Sequence, residues 1–139
     1  MLDDPYAIWA LAYPEAAAAL RAITVPPPAV NDGASEARIQ SLVRLEAAQK
    51  GYRLFRNNKG VLRDDRGIPV RFGLCNDNKK VSDTWASADL IGWNAEGLFT
   101  SVEVKKWDGV ATEAQENWAK LVRAGGGLAF IVNQEGMLP

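Results

Sequence analysis

The sequence predicts an α/β domain, a mixed sheet flanked by helices, with a helical extension at its N-terminal side. Three observations predict it. Hydrophobic periodicity alternates along the chain in the order helix, strands, helix, strand, which leads to a sheet covered by helices. A length of 139 residues with 47% hydrophobic and 24% charged residues suits one globular domain that buries about 70% of its unfolded surface. The run Pro26-Pro27-Pro28 cannot continue a helix, so it divides an extension (residues 1–30) from a main domain (residues 31–139).

In the extension, Asp3-Asp4-Pro5 reads as a helix cap with proline in the first turn, and residues 7–11 and 15–23 are rich in helix formers. Pro14 is expected to kink or split that segment. A second helix spans about residues 34–50, closed by Gly51, with Ile39, Leu42, Val43 and Leu45 as its apolar face. Glu36 precedes Ile39 by three and Val43 by seven, which places its carboxylate along that stripe, facing inward. Residues 52–57 and 68–74 read as two strands of one hairpin, joined by a polar loop with Gly60, Asp64, Asp65 and Gly67. Residues 88–93 and 98–105 form a second hairpin around Asn94-Ala95-Glu96-Gly97. A third helix covers residues 112–124, Gly125-Gly126-Gly127 stops it, and residues 128–132 read as a strand buried on both faces.

Composition excludes much chemistry. With no His, a Ser/His/Asp triad, a Cys/His pair and a His general base are impossible. One cysteine, Cys75, builds neither a disulfide framework nor a zinc site. Oxygen donors remain, and they select a hard cation, Mg²⁺ with Mn²⁺ as a substitute. No apolar run approaches the roughly 20 residues that span a bilayer, and no signal-like segment opens the chain, so the expectation is a cytoplasmic protein with no membrane partner.

The net charge of −1 conceals a segregation. Residues 35–72 carry nine Lys or Arg against four acids, while the stretches on either side are net negative. A basic centre in a slightly acidic protein fits one polyanion-binding face, or a solvated charged loop.

The most informative stretch is Val102-Glu103-Val104-Lys105, where strand alternation puts Glu103 and Lys105 on one face. If Asn94 lies opposite Leu98, Asp89 comes opposite Glu103; if Trp93 lies opposite Leu98, Asp89 faces Val102 instead. Two converging carboxylates repel unless a cation lies between them, and a divalent metal also lowers the pKa of bound water. Lys105 then orients the nucleophile and offsets charge on the phosphate. Glu36 adds a contact through water. The plainer alternative is an ordinary ion pair on an exposed strand, worth under about 1 kcal/mol.

In order and spacing, Ser87-Ala88-Asp89-Leu90-Ile91-Gly92, Glu103-Val104-Lys105, Thr112-Glu113-Ala114-Gln115 and Ala124-Gly125-Gly126 resemble the VRR-NUC nucleases of the PD-(D/E)XK superfamily. Glu36, Arg56-Asn57-Asn58 and Val70-Arg71-Phe72-Gly73-Leu74 fit as well, and the resemblance covers about residues 35–132. Ser-Ala-Asp departs from the family's more frequent Pro-Asp or Ser-Asp but keeps the acidic ligand, and the loop from Cys75 to Ala86 is longer than in compact members. The resemblance implies a restriction-endonuclease-like mixed sheet with Asp89, Glu103 and the Val104 carbonyl as metal ligands. It further implies Glu36 as a support through water, Lys105 as the motif lysine and Gln115 near the catalytic centre. Thr112-x-x-Gln115 is equally a helix capping box.

Arg53, Arg56, Asn57, Asn58, Lys59, Arg71 and Lys106 are the candidate phosphate contacts. For Lys59, Arg63 and Arg66 a solvated loop is the rival reading, and Asp83 competes with Asp89 from a polar loop. Trp93 and Trp118 are expected in the core, with Trp85 and Trp107 open to base stacking. By resemblance to small phage-type members, the expected activity is Mg²⁺-dependent cutting of branched DNA such as Holliday junctions or flaps, in DNA repair or recombination. A homodimer would cut two strands symmetrically. The alternatives are a non-catalytic DNA-binding or nuclease-regulating module and a small-molecule enzyme with phosphate at Gly125-Gly126-Gly127. Those glycines follow a helix, which is the wrong order for a phosphate loop.

Overall fold

Ser35 starts the first helix of the main domain because its hydroxyl accepts a hydrogen bond from the Arg38 N–H at 3.2 Å. The computed structural model describes residues 11–16 and 33–139. Most of the expected N-terminal extension therefore lies outside the described residues. Within 11–16, helix breaks at Tyr13 and resumes at Pro14, the split expected of that proline.

Helix α1 (Glu36–Gln49) buries Ile39, Val43 and Ala47, one residue per turn. This stripe is narrower than expected: Leu42 is half-buried and Leu45 is exposed. The chain reverses at Gly51 (φ +89°) into β1 (Arg53–Arg56). Next come β2 (Gly60–Arg63), β3 (Pro69–Phe72), α2 (Lys79–Thr84), β4 (Leu90–Trp93), β5 (Phe99–Val104), α3 (Glu113–Ala124) and β6 (Leu128–Val132).

Four strands make the main sheet in the order β1-β4-β5-β6, with β1–β4 and β4–β5 antiparallel and β5–β6 parallel. The expected pairing of residues 52–57 with 68–74 is not what forms. Instead β1 joins the main sheet and β3 pairs with β2, from Gly60↔Phe72 to Arg63↔Pro69. The physical reason lies in Asp64. Its carboxylate accepts from the Arg66 and Ile68 N–H groups, both at 2.9 Å, closing a tight turn that folds β2 back on β3. These bonds, led by the one from Ile68, hold the Asp64 carboxyl below its ordinary pKa. Helix α2 occupies the stretch read as a polar loop. It is capped by the Asn78 side chain, which accepts from the Val81 N–H at 2.9 Å.

Strand alternation gives the sheet two differently dressed faces. On one, α1 packs Ile39, Val43 and Ala47 against Leu54, Leu90, Val102, Val104, Phe130 and Val132. On the other, α3 packs Trp118, Ala119 and Val122 against Ala129 and Ala88. Trp118 is core, as expected, and its Nε1–H donates to Ser101 Oγ at 2.8 Å. Helix α3 lies over β5 and β6. The same face of β1 and β4 carries Phe55 and Trp93, exposed by 54% and 46%. Trp93 is thus not a core residue: alternation aims it at the α3 side of the sheet, where its ring keeps nearly half its surface. At Gly92 the strands approach so closely that a Cβ would lie 1.7 Å from the Arg53 carbonyl oxygen, so only glycine fits. Among the described residues no helix is long and apolar enough to cross a membrane.

Candidate active site

The β4–β5 turn decides the register. Asn94 N–H donates to the Leu98 carbonyl at 3.0 Å, and the pairs run from Trp93↔Phe99 to Leu90↔Val102. One step further, Asp89 stands opposite Glu103, the first of the two registers considered above. Both carboxylates therefore share the α3 face of the sheet.

Each is held by its surroundings. Asp89 Oδ2 accepts from the Val104 N–H at 2.9 Å. Glu103 Oε1 accepts from Gln115 Nε2 at 2.8 Å and lies 3.3 Å from Lys105 Nζ. The Glu103 and Lys105 side chains are only 8% and 14% exposed, so this is not the solvated pair of an open strand. Burial pushes the Glu103 carboxyl up to about 7, and the Asp89 charge adds to the rise, while Lys105 and Lys59 oppose it. Two carboxylates thus share a half-dry site with the Lys105 ammonium, and the Lys59 charge also reaches Glu103.

Gln115 fulfils both readings of its spacing at once. Its Oε1 accepts from the Thr112 N–H at 2.9 Å and its N–H donates to Thr112 Oγ1 at 3.2 Å, which completes the capping box. The remaining amide end reaches Glu103.

The approach to Asp89 is fastened by a polar knot that the sequence did not disclose. Asn57 N–H donates to the Asp89 carbonyl at 2.8 Å, and its Nδ2 donates to Ser87 Oγ and to the Ala88 carbonyl, both at 2.9 Å. Ser87 Oγ in turn donates to the Leu74 carbonyl at 2.7 Å, and the Lys59 ammonium donates to the Ser87 carbonyl. The only available signal was the position of Asn57-Asn58 between a strand and a hairpin. Gly109 was missed too. A Cβ there would sit 2.9 Å from Lys105 Cβ, so this glycine makes room for the lysine.

Glu36 does not face inward. It is the first residue of α1 and exposed, and its Oε1 accepts from the Lys106 N–H at 3.4 Å, just past the end of β5. Lys106 Nζ pairs with Asp108 at 3.4 Å. Asn57 has both amide hydrogens committed within the knot, and Arg71 donates to Asn76 Oδ1 at 2.9 Å and to Ser82 Oγ at 3.3 Å, tying the β2–β3 hairpin to α2. Arg53 starts β1 opposite Trp93, at the end remote from Asp89, and donates to the Tyr52 carbonyl at 2.9 Å. Arg56 and Asn58 are exposed at the near end. Trp85 is half-buried, Trp107 is exposed, and Asp83 pairs with Lys79 at 2.7 Å on the surface of α2.

Among the described residues no group of three or more acidic or thiol side chains converges. Two carboxylates do, and no hydrogen bond among those residues engages Asp89 Oδ1 or Glu103 Oε2. Hard carboxylate oxygens from two neighbouring strands, each with one oxygen outside those bonds, fit a divalent cation. No protein-family model matches the chain, and no curated protein or solved structure matches it.

Proposed function

We propose that this protein is a Mg²⁺-dependent DNA endonuclease that hydrolyses phosphodiester bonds in branched DNA, working as a homodimer. One observation carries the reading: Asp89 and Glu103 converge beside Lys105 on one sheet face, with the Glu103 carboxyl raised to about 7 by burial and by the Asp89 charge. The resemblance to VRR-NUC nucleases supports the substrate class, as do the basic residues of β1 and the β2–β3 hairpin.

Asp89 and Glu103 would hold the cation, with the Val104 carbonyl completing the set. When bound, the cation supplies Lewis acidity and makes water a nucleophile at neutral pH. The chain's own groups do the rest. Val104 N–H fixes the Asp89 carboxylate and Gln115 fixes that of Glu103, so neither reorients as charge builds up. The Lys105 ammonium, anchored on Glu103, orients the attacking water and offsets charge on the phosphate. Leu90, Val102 and Val104, buried beneath, keep the platform rigid.

The test is cleavage of duplex, flap, splayed-arm and four-way junction DNA with Mg²⁺ or EDTA, for the wild type, Asp89→Ala and Lys105→Ala. Metal-dependent cutting that both variants lose, with DNA binding kept, is the expected result. Salt-sensitive binding without cutting under Mg²⁺ or Mn²⁺ would make the protein a non-catalytic binder.

A further inference from the structure

The α3 face of the sheet is dressed unevenly. Helix α3 lies over β5 and β6, and beside it β1 and β4 present Phe55, Ile91 and Trp93 on the face that carries Asp89 and Glu103. Phe55 and Trp93 form a ring pair with centroids 5.7 Å apart and planes tilted by 46°. Phe99, 40% exposed and edge-on to Trp118, extends the patch toward α3.

We propose that this aromatic face binds single-stranded DNA, stacking unpaired bases on Phe55 and Trp93 next to the cutting site. The choice of DNA rests on the nuclease reading and deepens it: the substrate has an unpaired strand beside the scissile phosphate. Register sets the distances. Ile91, opposite Phe55, is two residues from Asp89, and Trp93 is four, so the rings lie roughly 7 and 13 Å along the ladder from the carboxylates. Bases flanking the cut therefore fall over the rings.

The chemistry of the patch suits this occupant. Exposed rings on a sheet take the π-faces of unpaired bases whatever their identity, whereas a duplex keeps those faces stacked on one another. Neither β1 nor β4 contains an acid, and alternation sets the exposed Arg53 on the face of Phe55, opposite Trp93, where a phosphate backbone over the rings meets it.

The experiment is fluorescence anisotropy of a labelled oligothymidine and of a matched duplex in EDTA, where no cutting intervenes. The wild type, Phe55→Leu, Trp93→Leu and Trp93→Phe are compared. Leucine keeps apolar area and removes the ring, so each leucine variant should bind the single strand about tenfold more weakly, with Trp93→Phe close to wild type. Thermal melts of these exposed positions should be unchanged. Leucine variants that bind the oligonucleotide like wild type would overturn the proposal. So would a wild-type dimer by light scattering that Phe55→Leu converts to monomer, because the occupant would then be a second copy. Failure of the nuclease reading is separate: it appears as no Asp89-dependent cutting while ring-dependent binding in EDTA persists.

Discussion

Replacing Glu103 by Gln should make the metal-free protein more stable at pH 8 and leave it nearly unchanged at pH 4.5. The Glu103 carboxyl sits at about 7 in the folded protein against an ordinary value of 4.5, chiefly through burial. Between those two values the folded state holds a proton that the unfolded state has released, so stability falls as pH rises through the window. Below about 4.5 the cost is absent, and above about 7 it is complete. At roughly 1.36 kcal/mol per unit the ceiling is about 3 kcal/mol. Glutamine keeps the shape and an acceptor for Gln115, and the attraction to Lys105 that it gives up is already contained in that pKa. The gain at pH 8 is therefore about 3 kcal/mol, or roughly 10 °C in Tm for a domain of this size. Urea denaturation of both proteins in EDTA from pH 4.5 to 8.5 measures it. The other carboxylates cancel in the difference, which should climb through the window and level off above pH 7. A flat difference, or a variant less stable at pH 8, would refute the reasoning. Added Mg²⁺ should stabilise the wild type more than the variant, and less so as pH falls below about 7, where protons compete for Glu103.

Three further outcomes are expected. Asn57→Ala removes both bonds that fasten the Ser87-Ala88 approach to Asp89, so chemical denaturation should show a loss of about 2 kcal/mol and calorimetry a weaker Mg²⁺ affinity. Gly109→Ala adds a methyl 2.9 Å from Lys105 Cβ; cleavage should fall at least tenfold while the melting temperature moves by less than about 3 °C. Trp118→Phe breaks the indole bond to Ser101 inside the core and should cost about 2 kcal/mol by urea denaturation.

What could be read in advance depended on the range of the interactions involved. The Val102-Glu103-Val104-Lys105 alternation is local, and the face it assigns to Glu103 and Lys105 is the one observed. Its register against Asp89 stayed open because a one-residue slip is settled at the turn, where Asn94 Oδ1 accepts from the Glu96 and Leu98 N–H groups. The first hairpin was misassigned because Gly60-Val61-Leu62-Arg63 is too short and too exposed to stand out from its polar surroundings. Trp93 has the period of a buried residue, yet which part of a sheet face a helix covers is a tertiary fact. Glu36 shares the helical phase of Ile39, but at the first position of the helix it stays exposed and its carboxylate turns to the Lys106 N–H, a partner seventy residues away. The knot around Asn57 and Ser87 joins residues thirty positions apart through side-chain amide, hydroxyl and carbonyl groups, and such contacts leave no periodic trace.

Gln115 ties the first turn of α3 to the floor of the site, since one side chain closes the capping box and grips Glu103. Helix fraying and carboxylate disorder therefore belong to a single cooperative unit. Whatever neutralises Glu103 should slow amide hydrogen exchange in the opening turn of α3, and loosening that turn should be felt at the carboxylate. The helix start thereby acts as a reporter of the state of the site, readable without following any reaction.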